Sequence, residues 1–209
     1  MPILHACRFL PGLAAATLLA CLLSMPAVLN AQDGKYRIGE RLPAPAKSAV
    51  PARAGYREVT WDDLLPKDWD PVKEVRDLNL GQLRDGDRRA EEAMEILRKL
   101  WDRAPANPQL ENALLKLPGF VVPLEEDKDG LREFLLVPYF GACIHAPPPP
   151  ANQIIHVVAP RGIKGVKSMD PVWVSGRLNA ARSQTSMGES GYRMQAALVE
   201  PYRERSGRR

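Results

Sequence analysis

The chain has 209 residues, a formal net charge of +4 and only 6% aromatic residues. That charge is too small to argue for nucleic acid as a partner, and the length fits one domain with extended ends.

The N-terminus comes first. Arg8 makes a short positive region, and Phe9 to Leu29 carries no charge. Leu29-Asn30-Ala31 puts a small residue before Gln32, so residues 1–31 read as a secretory signal peptide and the expected location is the periplasm. Two alternatives stand beside it. Cys21, in Leu18-Leu19-Ala20-Cys21, is a candidate lipid attachment point, and an uncleaved N-terminus approaches the ~20 apolar residues that cross a bilayer. Pro11, Gly12 and Pro26 interrupt that run, and after cleavage no integral membrane span is expected. Cleavage also removes Cys7 and Cys21, leaving Cys143 as the single thiol. In an oxidising compartment an odd cysteine is buried, metal-bound, reactive or paired with another molecule.

Residues 32–58 hold Pro43, Pro45 and Pro51 with no sustained apolar period, which reads as a flexible linker. A domain is expected over 59–202. It opens on a short turn capped by Thr60 or Asp62 that buries Trp61 and Leu65. The spacing of Met94, Leu97 and Trp101 predicts a helix over 86–103, capped by Asp87 and closed by Pro105 and Pro108. Its apolar stripe reads as a face packed on the main body. The period then changes to two. Strands are expected at Leu117 to Leu124, Arg132 to Tyr139, Gln153 to Val158, Val172 to Leu178 and Tyr192 to Val199, with Asp129-Gly130 as a hairpin turn and 183–191 as a polar loop. The fold class is mainly β: a small five-stranded OB-like barrel or sandwich with one flanking N-terminal helix. Residues 203–209 read as a basic disordered tail.

Chemistry concentrates in one segment, Gly141-Ala142-Cys143-Ile144-His145-Ala146 followed by Pro147, Pro148, Pro149 and Pro150. In extended backbone the i, i+2 spacing turns Cys143 and His145 to one face, where thiolate and imidazole suit zinc or copper, or a nucleophile and its base. The prolines cannot sit inside a sheet and form a stiff polyproline II stretch. A return through them would bring His156 toward His145, making Cys143, His145 and His156 the candidate metal ligands; by alternation with Ile154 and Val158, His156 also reads as a packed strand residue. Tyr139, Pro147 to Pro150, Asn152 and Gln153 form the candidate binding surface, the two amides being placed to tie the proline loop back to backbone.

The runs Trp61-Asp62-Asp63-Leu64-Leu65-Pro66, Leu117-Pro118-Gly119-Phe120-Val121-Val122-Pro123-Leu124-Glu125 and Phe134 through the prolines to Gln153 resemble the bacterial domain-of-unknown-function family 3299. The resemblance implies an envelope protein, periplasmic or lipid-anchored, with no established activity. It also implies an accessory role beside an export-type ABC transporter, in some cases linked to zinc. The segment Asn112-Ala113-Leu114-Leu115-Lys116 departs from the Gly-Lys pair that often precedes the Leu-Pro-Gly-Phe block in the family.

The leading expectation is therefore a non-enzymatic periplasmic binding or adaptor domain, accessory to an envelope ABC transporter, with zinc or copper as the candidate ion at Cys143 and His145. Nucleic acid is not an expected partner. The alternatives are an enzyme using Cys143 as nucleophile and a purely structural protein-interaction module.

Overall fold

The computed structural model describes residues 36–43, 55–70, 73, 76, 86–145 and 148–203. The signal segment, Cys7, Cys21, the linker outside 36–43 and 55–58, Pro147 and the tail beyond Arg203 lie outside them. No helix among the described residues is long and apolar enough to cross a membrane.

Eight strands form: β1 (Arg57–Glu58), β2 (Ala113–Asp127), β3 (Gly130–Val137), β4 (Ile155–Ile163), β5 (Pro171–Asn179), β6 (Ser183–Thr185), β7 (Gly188–Ser190) and β8 (Tyr192–Pro201). One helix, α1 (Arg88–Asp102), precedes β2. The sheet runs β1-β2-β3-β4-β8-β5, and β5 pairs back onto β2. That last pairing closes β2, β3, β4, β8 and β5 into a barrel, so the barrel is realised and the sandwich is not. Neighbours within it are antiparallel except β4 and β8, which run parallel. This is the Greek-key pattern of an OB-like barrel.

Alternation explains where the core sits. Leu117, Val121, Phe134, Leu136, Ile155, Val157, Val174, Leu178 and Met194 point into one cluster. Phe120, Val122, Leu135, Val137 and Ile154 point the other way, into a second cluster closed by Leu42, Ala142 and Met169. Both faces of β2 and β3 are thus buried here, which is why Leu115 to Val122 is a nearly unbroken apolar run. Each fully buried Leu, Ile or Phe contributes roughly 1.5–3 kcal/mol. Tyr36, Phe120 and Phe140 add edge and stacked ring contacts at 5.2–6.2 Å.

Several local expectations change. β2 begins at Ala113 and runs through Pro118, Gly119 and Pro123 without ending. Gly119 is what allows this: a Cβ there would lie 2.7 Å from the Leu136 side chain and 2.9 Å from Val137 O. The loop at 183–191 contains the β6–β7 hairpin, whose short polar strands lack an apolar signal. The N-terminal turn spans Asp62–Leu64, with Thr60 N and Oγ1 both donating to Asp63 Oδ2. It buries Trp61 and Leu64, while Leu65 is only half-buried.

Long-range hydrogen bonds tie the segment before the barrel onto it. Trp61 Nε1 donates to Pro118 O at 2.8 Å. The fully buried Tyr192 hydroxyl donates to Leu64 O and accepts from Asn107 N, both at 2.6 Å. Tyr192→Phe leaves a buried carbonyl and a buried N–H without partners, an expected loss of about 2 kcal/mol. Thermal unfolding should read that as a fall of roughly 4–8 °C. Burial pushes the Tyr192 hydroxyl pKa up, partly opposed by the Asn107 N–H. The neutral hydroxyl therefore stabilises the fold fully below the ordinary tyrosine value of about 10, and this contribution disappears as pH rises through the folded value. The alkaline loss of stability should be smaller in Tyr192→Phe.

Candidate functional site

The chain between β3 and β4 carries the Cys-His-proline segment. It leaves the barrel at Pro138 and is held at once: Tyr139 bridges to Arg41, Phe140 N donates to Glu40 O, and Gly39 N donates to Phe140 O. Gly141 has φ +84°, and its N–H donates to Met169 Sδ at 3.0 Å. The N–H groups of Ile144 and His145 both point to Gly141 O, at 3.3 and 2.8 Å. Cys143 itself has φ +63°.

The segment is therefore a compact turn, and the extended-strand reason for turning Cys143 and His145 to one face does not apply. The two side chains sit in different surroundings. Cys143 packs against the second apolar cluster, whereas His145 is exposed. Burial pushes the Cys143 thiol up to about 11, so it is protonated at neutral pH. Tyr139 is half-buried, and its hydroxyl is pushed up by burial and then by Cys143, against a downward pull from Arg41.

His156 lies on β4, on the face opposite Ile155 and Val157, and is buried. Its Nε2 is 2.6 Å from Glu133 Oε2 and its Nδ1 is 3.2 Å from Arg193 Nη1. A guanidinium can only donate, so Nδ1 is the acceptor and Nε2 carries the proton given to Glu133. Both ring nitrogens are engaged across β3, β4 and β8. The packed-strand alternative describes His156 as it stands; the return through the prolines does not leave it open as a ligand. Among the described residues, no group of three or more His, Cys, Asp or Glu is placed to hold a metal ion.

The prolines form a ridge. Pro150 has φ −54° and ψ 147°, the polyproline II region, and leads into a 3-10 turn at Ala151–Gln153. Asn152 Nδ2 donates to Pro105 O at 3.0 Å, and Gln153 Nε2 donates to Trp61 O at 2.8 Å. Both amides are buried and bind the chain's own backbone. Gly191 N donates to Ala151 O at 2.7 Å, fastening the turn beside the hairpin.

A feature absent from the expected site lies against this ridge. The C-terminal end of α1 is fixed by Arg182, whose guanidinium donates to the carbonyls of Asp102, Arg103 and Ala104. Placed so, α1 buries only Ala93 and Leu97 and leaves Met94 47% exposed. Between helix and ridge opens an apolar groove of about 260 Å³, lined by Met94, Leu97, Trp101, Pro148 and Pro149. Trp101 Nε1 is buried and meets no acceptor among the described residues, and Asn152 Oδ1 is likewise unpartnered. Buried polar atoms left so cost about 1–3 kcal/mol each. The stripe Met94, Leu97, Trp101 was visible as a helix face, but only the docking angle of α1 reveals that much of it stays open.

The family described as "Protein of unknown function (DUF3299)" matches residues 61–201. Among solved structures, a DUF3299 family protein (PA4066) from Pseudomonas aeruginosa PAO1 is 35% identical, with a TM-score of 0.57, over 72% of this chain and 99% of that one. A small single-stranded DNA-binding protein from Streptomyces coelicolor is 15% identical over 44% of this chain and 94% of that one, at a TM-score of 0.28. An OBody bound to hen egg-white lysozyme is 13% identical over 45% and 85%, also at 0.28. Neither of these last two bears on function. No curated protein matches the chain.

Proposed function

The chain belongs to the DUF3299 family, and from that membership we propose that it is a non-enzymatic binding domain of the cell envelope, exported by residues 1–31 to the periplasm, that docks as an adaptor onto a component of an export-type ABC transporter. The observation that carries this reading is the open apolar groove between α1 and the proline ridge. A tryptophan face and proline rings lose little conformational freedom on binding, which makes them effective anchors for a partner.

Cysteine chemistry finds less support. A nucleophilic thiol needs a depressed pKa, and burial pushes Cys143 the other way. The same shift weighs against zinc or copper at Cys143 and His145, because a thiol must lose its proton to ligate. With His156 held by Glu133 and Arg193, two ligands stand where a structural zinc takes four.

The test is site-specific photocrosslinking in envelopes of the native host. A photoreactive phenylalanine analogue replaces Met94 in the groove, or the exposed Lys164 in the loop between β4 and β5 as control. The expected result is a crosslink from position 94 to a transporter component that is absent from position 164. Equal labelling from both positions, or none from 94, would sink the adaptor reading.

A further inference from the structure

We propose that the groove takes an uncharged, proline-containing apolar segment of a partner protein in extended conformation, anchored by one backbone carbonyl that accepts from Trp101 Nε1; the proposal rests on the binding reading above and names the ligand class of that site. Three observations converge on this occupant.

First, the Trp101 N–H is a buried donor without an acceptor among the described residues. An indole can only donate, so the missing partner is an acceptor, and a peptide carbonyl is the acceptor every extended chain carries. Second, the charges at the groove rim cancel in pairs. Arg98 meets Asp102 at 3.4 Å, and Lys99 meets Glu95 at 2.7 Å. The complementary segment is therefore neutral: a charged one would have to displace a partner already in place. Third, the space of about 260 Å³ falls short of the roughly 300–1,000 Å³ of small-molecule sites. It admits one or two apolar side chains or proline rings, with the rest of the segment crossing the rim. Proline suits the segment because a polyproline II chain reaches an aromatic wall already stiff and with its carbonyls turned outward.

The probe is the blocked peptide acetyl-Leu-Pro-Leu-Pro-Leu-amide, titrated into the purified chain with 15N-labelled indoles. Trp101→Phe identifies the Trp101 resonance among the four tryptophans. Saturable downfield movement of the Trp101 N–H, with Trp173 unmoved, is the expected result. Trp101→Phe should bind about tenfold more weakly, the loss of one hydrogen bond. Met94→Glu, on an exposed wall position that folding does not depend on, should also weaken binding. Equal binding to wild type and Trp101→Phe overturns the carbonyl anchor, and equal binding of acetyl-Glu-Pro-Glu-Pro-Glu-amide overturns the neutral segment. Absence of any peptide binding, with the crosslink from position 94 retained, discards the ligand class while leaving the adaptor reading intact. Loss of both discards both.

Discussion

Gly176→Ala is expected to destabilise the fold by about 3–4 kcal/mol, a fall of about 10 °C in the thermal midpoint and a matching shift in urea. Gly176 sits in β5 where its register against β8 slips between Ser175 and Gly176. A Cβ at this position would lie 2.4 Å from Gln195 O, 2.9 Å from Met194 Cγ and 3.0 Å from Gln195 C. Two of those three atoms are backbone of the facing strand, so no side-chain rotation relieves the clash. The seam must open instead. Because β5 pairs β8 on one edge and β2 on the other, opening it undoes the closure that distinguishes a barrel from an open sheet and exposes Val174, Leu178 and Met194 beneath. The matched control is Gly165→Ala. Gly165 has φ +75° with nothing near its absent Cβ, so the change carries only the left-handed backbone penalty of about 1 kcal/mol. Losses of similar size at both positions would mean that closure does not depend on the close approach at Gly176.

How much of this was legible beforehand differs from one feature to the next, for physical reasons. The helix and five barrel strands announce themselves through local period: Met94, Leu97 and Trp101 for one, alternation in 172–178 and 192–199 for the other. Strand order was not legible, because the parallel pairing of β4 with β8 and the closing pair β5–β2 join residues dozens of positions apart, with no local signal. The β6–β7 hairpin was missed because its six residues are polar and lie on the surface side of the pattern. For the site, the residue types in 141–150 were an accurate pointer to an unusual segment. The conformation was not, since Cys143 at φ +63° reverses the direction that extended spacing implies. The partners of His156, Glu133 on β3 and Arg193 on β8, are set by register across three strands. The groove depends on Arg182, nearly eighty residues after the helix it holds.

Cys143 should be alkylated about 100-fold more slowly in the folded chain than in the unfolded chain at pH 8. The reacting species is the thiolate. An exposed thiol near its ordinary value of 9.0 is about one-tenth ionised at that pH, whereas a thiol pushed up to about 11 is ionised to about one part in a thousand. Burial against the second cluster also slows access of the reagent, so the midpoint of the pH–rate curve is the sharper measurement: it should lie near 11 in the folded chain and return toward 9 in denaturant. The sign decides between readings of the site. A nucleophile primed for catalysis reacts faster when folded, with a midpoint at or below neutrality, and that result would restore the enzyme alternative. The same raised value predicts that zinc uptake at pH 7 is about 100-fold weaker than an ordinary thiol would give, since each unit of pKa adds a tenfold competition from the proton. Zinc affinity that is high at pH 7 and lost in Cys143→Ala would instead place the metal at this turn, and Cys143 would then have to leave the apolar cluster to ligate it. The slow thiol and the open groove point the same way, toward a domain whose chemistry is recognition and whose cysteine is packing.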